Sequence, residues 1–247
     1  MKPFVFSVLF AFHCFLFSNE MLNLPSPIGH IPKRILDNIK NDGTNFLKDL
    51  DDVMKDDIND LFILVDKKHL LSKTFAPYAL VSLKSSSYVI EKKGLSLTPL
   101  AEKALYDMAS MAKKDGVSLL VSSSYRSYDY QDKLFKKYSE KYGTTKAETF
   151  SAHPNASQHR LGTAVDFGSI DDSYAATKAG KWLFENASNY GWSLSYPKGL
   201  EKITGYIWEC WHYRYLGIKA CMLQKKYFED VQQYMLEFID YWKKRNN

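Results

Sequence analysis

Apolar residues recur at helical spacing in three parts of this chain, and these parts predict its main helices. After the turn-like pair Asp42-Gly43, the apolar positions of an otherwise charged segment follow a period of three or four residues as far as Leu61. Thr98-Pro99 is typical of a helix start, and Gly116 is typical of a helix end. The same periodicity returns over residues 129–141. Each segment therefore predicts a helix with one buried face.

Short apolar runs around these helices predict extended structure. Residues 117–121 form a run that predicts a buried strand, and residues 192–196 predict an aromatic strand. Over residues 164–169 the period changes to two, which predicts a further strand. Residues 61–65 favour either a strand or a buried extended segment, and both interpretations stay open.

The N-terminal part of the chain is typical of an exported protein. Residues 1–18 resemble a secretory signal peptide, because Lys2 precedes an uncharged apolar run over residues 4–17. This run is shorter than the roughly 20 residues that span a bilayer, so we expect cleavage, with a retained anchor as the alternative. Any membrane contact would then involve only the signal segment.

Changes of pattern divide the remaining chain into three parts. We expect a helical N-terminal extension over residues 19–60, which either packs on the main domain or acts as a spacer from the membrane. The main domain is expected over residues 61–217. An amphipathic segment follows, which predicts a packed C-terminal helix within residues 218–247.

Composition and charge narrow the classes of partner. The chain has 247 residues, and 45% of them are apolar, which is enough for a substantial core. Its net charge of +5 is spread along the chain, with no basic block beyond Lys243-Lys244-Arg245, so we expect no nucleic-acid partner. After signal removal, Cys210 and Cys221 would remain as free thiols, packing residues or one disulfide.

One acidic residue within an apolar strand points to bound metal. Burial of Asp166 requires a cation or several hydrogen-bond donors. His159 lies seven positions earlier, and Gly162 between them allows the chain to turn, so both side chains could converge on one ion. A His–Asp pair of this kind is more often a simple hydrogen bond, and further ligands are needed to distinguish the two cases.

Glu209 and His212 could complete the site. Two imidazoles and a carboxylate can hold Zn²⁺ with one position left for water, and Glu209 could take the proton of that water. On an ideal strand Glu209 and His212 face opposite sides, so this hypothesis requires a bend between them. The alternative is a surface glutamate beside a histidine of the core. A helical His-Glu-x-x-His motif is absent from the sequence.

Three further histidines lie beyond the predicted signal segment, and we expect them to be ordinary turn or surface residues. His30, His69 and His153 lack a carboxylate-rich context in the sequence. His153 is the nearest spare ligand because it is close to His159, but the Pro154-Asn155 pair that follows it indicates a loop.

A junction between a strand and a helix adds two polar candidates. Arg126 follows the predicted strand over residues 117–121, and Gln131 falls on the first turns of the next helix. Such junctions present side chains to clefts. We therefore expect Arg126 and Gln131 to share the cleft of the metal site, although each residue taken alone is typical of a solvated surface.

These motifs together resemble one known family. Ser157-x-His159-x-x-Gly162-x-Ala164-x-Asp166 with Glu209-x-x-His212 is similar to the zinc D-alanyl-D-alanine carboxypeptidases of the VanY type, whose fold is shared with the signalling domain of hedgehog proteins. The resemblance runs from about Leu64 to Gly217. Two positions depart from the usual pattern, since Cys210 stands in place of a proline and Asn155 in place of a glycine.

The resemblance implies a fold and a set of roles. The expected fold is α+β, with a small antiparallel sheet flanked by helices and with extra helices at both ends. His159, Asp166 and His212 would be zinc ligands, and Glu209 would be the catalytic base. Arg126 would bind the substrate and polarise the scissile carbonyl, Gln131 and Ser157 would hold the C-terminal end of the peptide, and Trp211 would form part of the pocket wall.

We accordingly expect an exported, monomeric zinc carboxypeptidase in the periplasm or cell envelope. Its substrates would be peptidoglycan stem peptides, from which it would remove the terminal D-alanine. An L,D-carboxypeptidase acting on tetrapeptide stems is the first alternative, because the sequence does not distinguish the two bonds. A peptidoglycan-binding module without catalysis is the second, and the presence of Glu209 argues against it.

Overall fold

A five-stranded sheet lies at the centre of this protein, whose computed structural model describes residues 24–58 and 60–246. The predicted signal segment, residues 1–18, lies outside the described residues. The strands are β1 (Val81–Ser82), β2 (Val89–Ile90), β3 (Ser96–Leu97), β4 (Leu120–Ser123), β5 (Ala164–Phe167), β6 (Trp192–Leu194) and β7 (His212–Tyr215). The central sheet has the order β2-β4-β5-β7-β6, and β1 pairs with β3 in a separate two-stranded sheet.

The central sheet is mixed rather than purely antiparallel. Three of its strand pairs are antiparallel, but β2 pairs with β4 in parallel. The prediction of an α+β fold is confirmed, and the expectation of an antiparallel sheet is wrong at this edge. Parallel neighbours need a crossover connection, and the helix over Pro99–Lys114 lies in the chain between these two strands.

Nine α-helices surround the sheet within the described residues. They are α1 (Lys33–Asn41), α2 (Gly43–Met54), α3 (Pro99–Lys114), α4 (Tyr128–Tyr142), α5 (Thr144–Ala147), α6 (Lys178–Asn186), α7 (Glu201–Thr204), α8 (Ile218–Tyr227) and α9 (Gln232–Asn246). The helices predicted after Thr98 and over residues 129–141 are confirmed as α3 and α4. None of the helices in the described part of the chain is long and apolar enough to cross a bilayer.

The N-terminal helices α1 and α2 pack on the C-terminal helices. Phe46 of α2 is fully buried, and its ring meets the rings of Tyr227 at 4.9 Å and Phe238 at 5.1 Å between centroids. Edge-to-face contacts of this kind stabilise a core beyond the area that they bury. Helices α1 and α2 are therefore packed against the rest of the described protein, as the first of the two alternatives for this extension requires.

The C-terminal segment forms two helices, so the prediction of a single helix there is wrong. Glu229 and Asp230 have φ angles of 54° and 58°, and two successive residues in the left-handed region end a right-handed helix. Gln224 stabilises this break, because Nε2 of its side-chain amide donates to the carbonyl of Asp230 at 3.1 Å and to Oδ1 of Asp230 at 2.8 Å.

Residues 61–65 do not form a strand, because Leu61 and Phe62 lie in a turn and residues 63–65 have no regular secondary structure. The guanidinium of Arg214, a fully buried residue on β7, donates from Nη2 to the carbonyls of Leu61 and Ile63, both at 2.9 Å. These bonds satisfy backbone acceptors that a strand partner would otherwise satisfy. Arg214 thus attaches this segment to the strand that carries His212.

Candidate metal centre

Three predicted ligands meet at one end of the central sheet. His159 lies on a 3-10 turn, Gln158–Leu161, that leads into β5 through Gly162. Gly162 has a φ of 70°, which ends the turn and aims the chain into the strand. Asp166 of β5 lies directly opposite His212 of β7 in the strand register. The sheet therefore brings two side chains together from distant parts of the sequence.

The three side chains are buried and close. Nε2 of His159 lies 3.2 Å from Oδ2 of Asp166, and Nδ1 of His212 lies 3.0 Å from Oδ1 of Asp166. One potential ligand atom from each residue lies within 4.8 Å of the others. Within the described residues, these are the only three histidine, cysteine, aspartate or glutamate side chains that form such a group.

The hydrogen bonds of the rings show which atoms face the centre. Nδ1 of His159 lies 2.7 Å from the carbonyl of Ser124, which can only accept, so the hydrogen of this ring is on Nδ1. The Nε2 lone pair of His159 is thereby directed at Asp166. A carboxylate and an unprotonated ring nitrogen are both acceptors, and their convergence fits a cation such as Zn²⁺.

The charges around the cluster favour the ligand forms of its members. Burial and the nearby Arg126 guanidinium lower the pKa of His159 to about 4, so its ring is neutral at pH 7. Burial alone would raise the pKa of Asp166, but the Arg126 guanidinium, which donates to this carboxylate, outweighs burial and holds the pKa well below the usual range. A neutral imidazole and an ionised carboxylate are the forms that bind zinc.

Glu209 lies beside the cluster because the chain bends before β7. The backbone N–H of His212 donates to the carbonyl of Glu209 at 3.2 Å, which closes a turn between them. Oε2 of Glu209 then lies 3.7 Å from Nδ1 of His212. The bend that the metal hypothesis requires is therefore present. Burial, reinforced by the charge of Asp166, raises the pKa of Glu209 well above its usual range, and Arg126 opposes this rise.

Arg126 borders the cluster on its other side. Its Nη2 donates to Oδ2 of Asp166 at 2.6 Å, and its Nε donates to Oγ of Ser123 at 3.0 Å. Its Nη1 donates to Oε1 of Gln131 at 3.3 Å, and Nε2 of Gln131 donates to the carbonyl of Ala152 at 2.8 Å. Gln131 is buried, so these bonds hold the guanidinium in one orientation at the edge of the cavity.

All eight residues singled out in the sequence line one cavity of about 390 Å³. They are Arg126, Gln131, Ser157, His159, Asp166, Glu209, Trp211 and His212. Part of the lining is aromatic, since the rings of Tyr138 and Tyr142 meet the ring of Phe150 at 5.3 and 5.7 Å between centroids, and Lys146 also lines the cavity. A cavity of this size can enclose a ligand of a few residues.

The other histidines and cysteines of the described residues lie outside the cluster. His153 contacts Oε1 of Glu148 at 2.9 Å on the surface. His30 pairs with Glu237 and His69 pairs with Asp66, so each has an acidic partner, but neither belongs to the group of possible ligands in the described residues. Glu237 is 207 positions from His30, so only the tertiary fold reveals that pair. Cys210 and Cys221 are both free and buried, as packing residues are.

Two residues of the site were missed in the sequence. Gln158 lies next to His159 in the chain, and its Oε1 lies 3.2 Å from Nε2 of His212. Its place within the His159 motif was the available signal. Tyr206 lines the cavity, and its buried hydroxyl has no hydrogen-bond partner among the described residues. No local pattern distinguishes Tyr206 from the other aromatic residues around it.

Comparisons with known proteins show which family this chain is similar to. A family model described as VanY, D-alanyl-D-alanine carboxypeptidase, matches residues 94–218, about half of the chain. "Putative carboxypeptidase YodJ" of Bacillus subtilis (strain 168) is 34% identical over 188 residues, which cover 70% of this chain and 68% of YodJ. All eight residues that line the cavity and were singled out above lie within the range that the family model matches.

Solved structures of two carboxypeptidases are similar to this chain. The LdcB LD-carboxypeptidase, whose structure concerns peptidoglycan recognition, has a TM-score of 0.62 and 34% identity over 70% of this chain and 89% of LdcB. The D,D-pentapeptidase VanY from the VanB-type resistance cassette was solved as a mutant in complex with Zn(II). It has a TM-score of 0.58 and 28% identity to this chain, and the match covers 71% of this chain and 97% of that protein. VanYB was also solved in complex with D-alanine-D-alanine.

Proposed function

This chain belongs to the VanY family of D-alanyl-D-alanine carboxypeptidases, and from that premise we propose that it is a zinc-dependent enzyme that removes the terminal D-alanine from peptidoglycan stem peptides. One observation carries the proposal. His159, Asp166 and His212 converge within 4.8 Å as buried acceptors, with the Glu209 carboxylate next to them. Such a group favours one divalent cation over a network of hydrogen bonds.

Zinc would be held by Nε2 of His159, the carboxylate of Asp166 and Nδ1 of His212. When bound, zinc supplies a Lewis acid that lowers the pKa of water to about 7 and polarises a carbonyl. The three ligands come from rigid parts of the fold, two from neighbouring strands and one from the turn that feeds β5. This origin supports a site that is formed before substrate arrives.

Glu209 would act as the general base and then as the general acid. It would take a proton from the attacking water and release that proton to the leaving amine of D-alanine. Burial raises the pKa of Glu209, which favours its taking a proton from water, and its carboxyl lies close enough to the cluster to pass that proton to the amine. The turn between Glu209 and His212 keeps the carboxyl beside the cluster, where it is largely buried and lines the cavity.

Arg126 would stabilise the negative charge that develops on the carbonyl oxygen. Its guanidinium borders the cavity and is held by Ser123 and Gln131, so little reorganisation is needed during the reaction. Gln131 and Ser157, which line the same cavity, would hold the C-terminal end of the peptide. Trp211 would close the wall that packs against the terminal residue.

A second candidate is an L,D-carboxypeptidase that acts on tetrapeptide stems. The similarity to LdcB favours it, since LdcB is an LD-carboxypeptidase and matches this chain at 34% identity. The two activities share the same catalytic groups and differ in the configuration of the residue before the scissile bond. A peptidoglycan-binding module without turnover remains a distinct hypothesis, and the buried Glu209 beside the cluster argues against it.

We further propose that residues 61–217 form the catalytic unit and that the protein works outside the cytoplasm, in the periplasm or cell envelope. Peptidoglycan is assembled there, and the chain begins with a segment typical of export. Its working form would be a monomer without nucleic-acid partners.

Defined stem peptides test this function. Purified protein is incubated with a tetrapeptide and a pentapeptide stem, and the products are weighed by mass spectrometry. We expect loss of one alanine from at least one stem, abolition by a chelator and recovery on addition of zinc. Turnover that persists after the metal has been verifiably removed would contradict the zinc mechanism. The preferred stem distinguishes the D,D from the L,D activity.

A further inference from the structure

A series of hydrogen bonds between buried polar groups links His212 to the C-terminal helix α9. It runs from His212 through Gln158 to Gln232, and the backbone carbonyl of Ser193 and the hydroxyl of Ser195 complete it. We propose that Gln232 and Gln158 are positioning residues that determine which ring nitrogen of His212 faces the metal. The inference rests on the zinc site proposed above and extends it to a helix beyond residue 218.

The first step is the orientation of the Gln232 amide. Nε2 of Gln232 lies 3.2 Å from the backbone carbonyl of Ser193, and a carbonyl can only accept a hydrogen bond. The amino group of Gln232 must therefore point at Ser193. Its oxygen, Oε1, then points the opposite way, towards Gln158.

The second step is the orientation of the Gln158 amide. Oε1 of Gln232 lies 3.2 Å from Nε2 of Gln158, so it accepts from the amino group there. Oε1 of Gln158 consequently faces His212, and Oγ of Ser195 donates to the same oxygen at 2.8 Å. Gln158, Ser195 and Gln232 are all buried, so reversing an amide would leave unsatisfied polar groups in the interior.

The third step is the tautomer of His212. Oε1 of Gln158 is an acceptor 3.2 Å from Nε2 of His212, so the ring hydrogen is held on Nε2. The Nδ1 lone pair is then directed at the space shared with Asp166 and His159. For His159, the carbonyl of Ser124 holds the ring hydrogen on Nδ1 in the same way. Each ring thus has a separate partner that exposes one nitrogen to the centre.

This arrangement gives α9 a role in metal binding, although no residue of α9 lines the cavity. Gln232 is the first residue of α9, and it is buried. The break at Glu229 and Asp230 brings that first turn back onto the sheet, beside Ser193. A continuous helix from residue 218 could not deliver Gln232 to this position.

We call the path of hydrogen bonds from Gln232 through Gln158 to His212 the relay. Zinc affinity measured on the full-length protein tests this relay without relying on turnover. Purified zinc-free protein competes with a chromophoric chelator for zinc, and thermal unfolding of each variant is recorded alongside. Loss of an outer partner of a ligating histidine typically weakens metal binding about 10- to 100-fold. We expect Gln158→Met to lie in this range and Gln232→Met to weaken binding about 10-fold.

The double variant distinguishes a relay from two independent effects. If Gln232 acts only through Gln158, then Gln232→Met causes no further loss of zinc affinity in the Gln158→Met background. In Gln232→Glu, one carboxylate oxygen still faces Gln158. The other oxygen faces the Ser193 carbonyl, so two acceptors meet where a hydrogen bond was lost. We therefore expect Gln232→Glu to unfold at lower temperature and yet bind zinc within about threefold of the wild-type chain.

Gln233→Met is the matched control on the same helix. Gln233 is buried and donates from Nε2 to Asp66 at 2.8 Å and to Glu237 at 3.0 Å, away from the cluster. This variant should lose stability and keep its zinc affinity. Equal zinc affinity in Gln232→Met and the wild-type chain, or additive losses in the double variant, would overturn the relay alone. A wild-type chain that binds no zinc would overturn the proposed function as well.

Discussion

Asp166 and His212 occupy opposed positions on β5 and β7, and their side chains meet with 3.0 Å between Oδ1 and Nδ1. The strand register therefore sets the distance between two of the three proposed ligands. Antiparallel partners that face each other have their Cβ atoms about 5 Å apart, which suits two side chains that share one ion. A register shift by one residue would turn one of them to the other face of the sheet.

Replacing Glu209 by glutamine should separate catalysis from binding. The glutamine side chain would fill the same space but could not carry a proton between water and the leaving amine, so we expect turnover to fall by about 10²- to 10⁴-fold. Zinc content and peptide affinity should stay close to those of the wild-type chain. Steady-state kinetics, metal analysis and calorimetry on the same preparation measure all three quantities.

Glu148→Gln is the control for that experiment, because Glu148 pairs with His153 on the surface and does not border the cluster. It should leave turnover unchanged. Turnover near the wild-type rate in Glu209→Gln would rule out the proposed base.

Replacing Arg126 by lysine should impair the chemical step more than zinc binding. Lysine keeps the positive charge but lacks the planar set of donors that contacts Ser123, Gln131 and Asp166. We expect kcat/KM to fall by about 10²- to 10³-fold, the usual effect of removing a donor to a developing oxyanion. Arg34→Lys, at an exposed pair with Glu229, is the matched control and should have no effect. An equal kcat/KM in Arg126→Lys would contradict the role.

Stability in acid should depend on Asp66. Burial raises the pKa of this carboxyl, but hydrogen bonds from Gln233, Lys68 and His69 outweigh burial and lower the pKa below 3.8. The stabilisation is complete at pH values above the unfolded-state pKa of 3.8, where the unfolded chain is also ionised. It is lost as the pH falls through the pKa of the folded state, because the unfolded chain takes up the proton first.

Denaturant unfolding of the wild-type chain and of Asp66→Asn across this pH range measures the effect. The two free energies of unfolding should converge as the pH falls below 3.8. Parallel curves would show that Asp66 makes no such contribution.

Phe46 should be a major source of stability for the N-terminal helices. Its fully buried ring packs between Tyr227 and Phe238, and a Phe-to-Ala change in such a place typically costs about 3–5 kcal/mol. Phe184→Ala, at a ring that is 76% exposed, should change the free energy of unfolding by less than about 0.5 kcal/mol. Similar losses in the two variants would indicate that α2 contributes little to the core.

The parts of the site that were predictable from sequence are local. His159 and Asp166 lie within one ten-residue motif, and Glu209 and His212 are three positions apart. Short spacing limits where such side chains can go, so a shared ion was a reasonable hypothesis. The helix after Thr98-Pro99 was predictable for the same reason, since its start and end signals are adjacent to it.

Contacts between distant segments were not predictable from periodicity. Asp166 and His212 are 46 positions apart, and only the candidate ligand set and the family resemblance brought them together in the prediction. The contact between Gln158 and Gln232, 74 positions apart, had no such signal. Single-sequence periodicity contains no information about which strands pair or which helix returns to the sheet. The break at Glu229 and Asp230 was missed because neither glycine nor proline marks it, and tertiary contacts such as the one between Gln224 and Asp230 stabilise it.

Locating zinc by anomalous scattering in a crystal of the zinc-loaded protein tests the central claim most directly. We predict a single strong peak at the zinc edge, within bonding distance of His159 Nε2, the Asp166 carboxylate and His212 Nδ1, with Glu209 beside the remaining coordination position. A peak elsewhere, such as at the His30–Glu237 pair, with none at the cluster, would contradict the account.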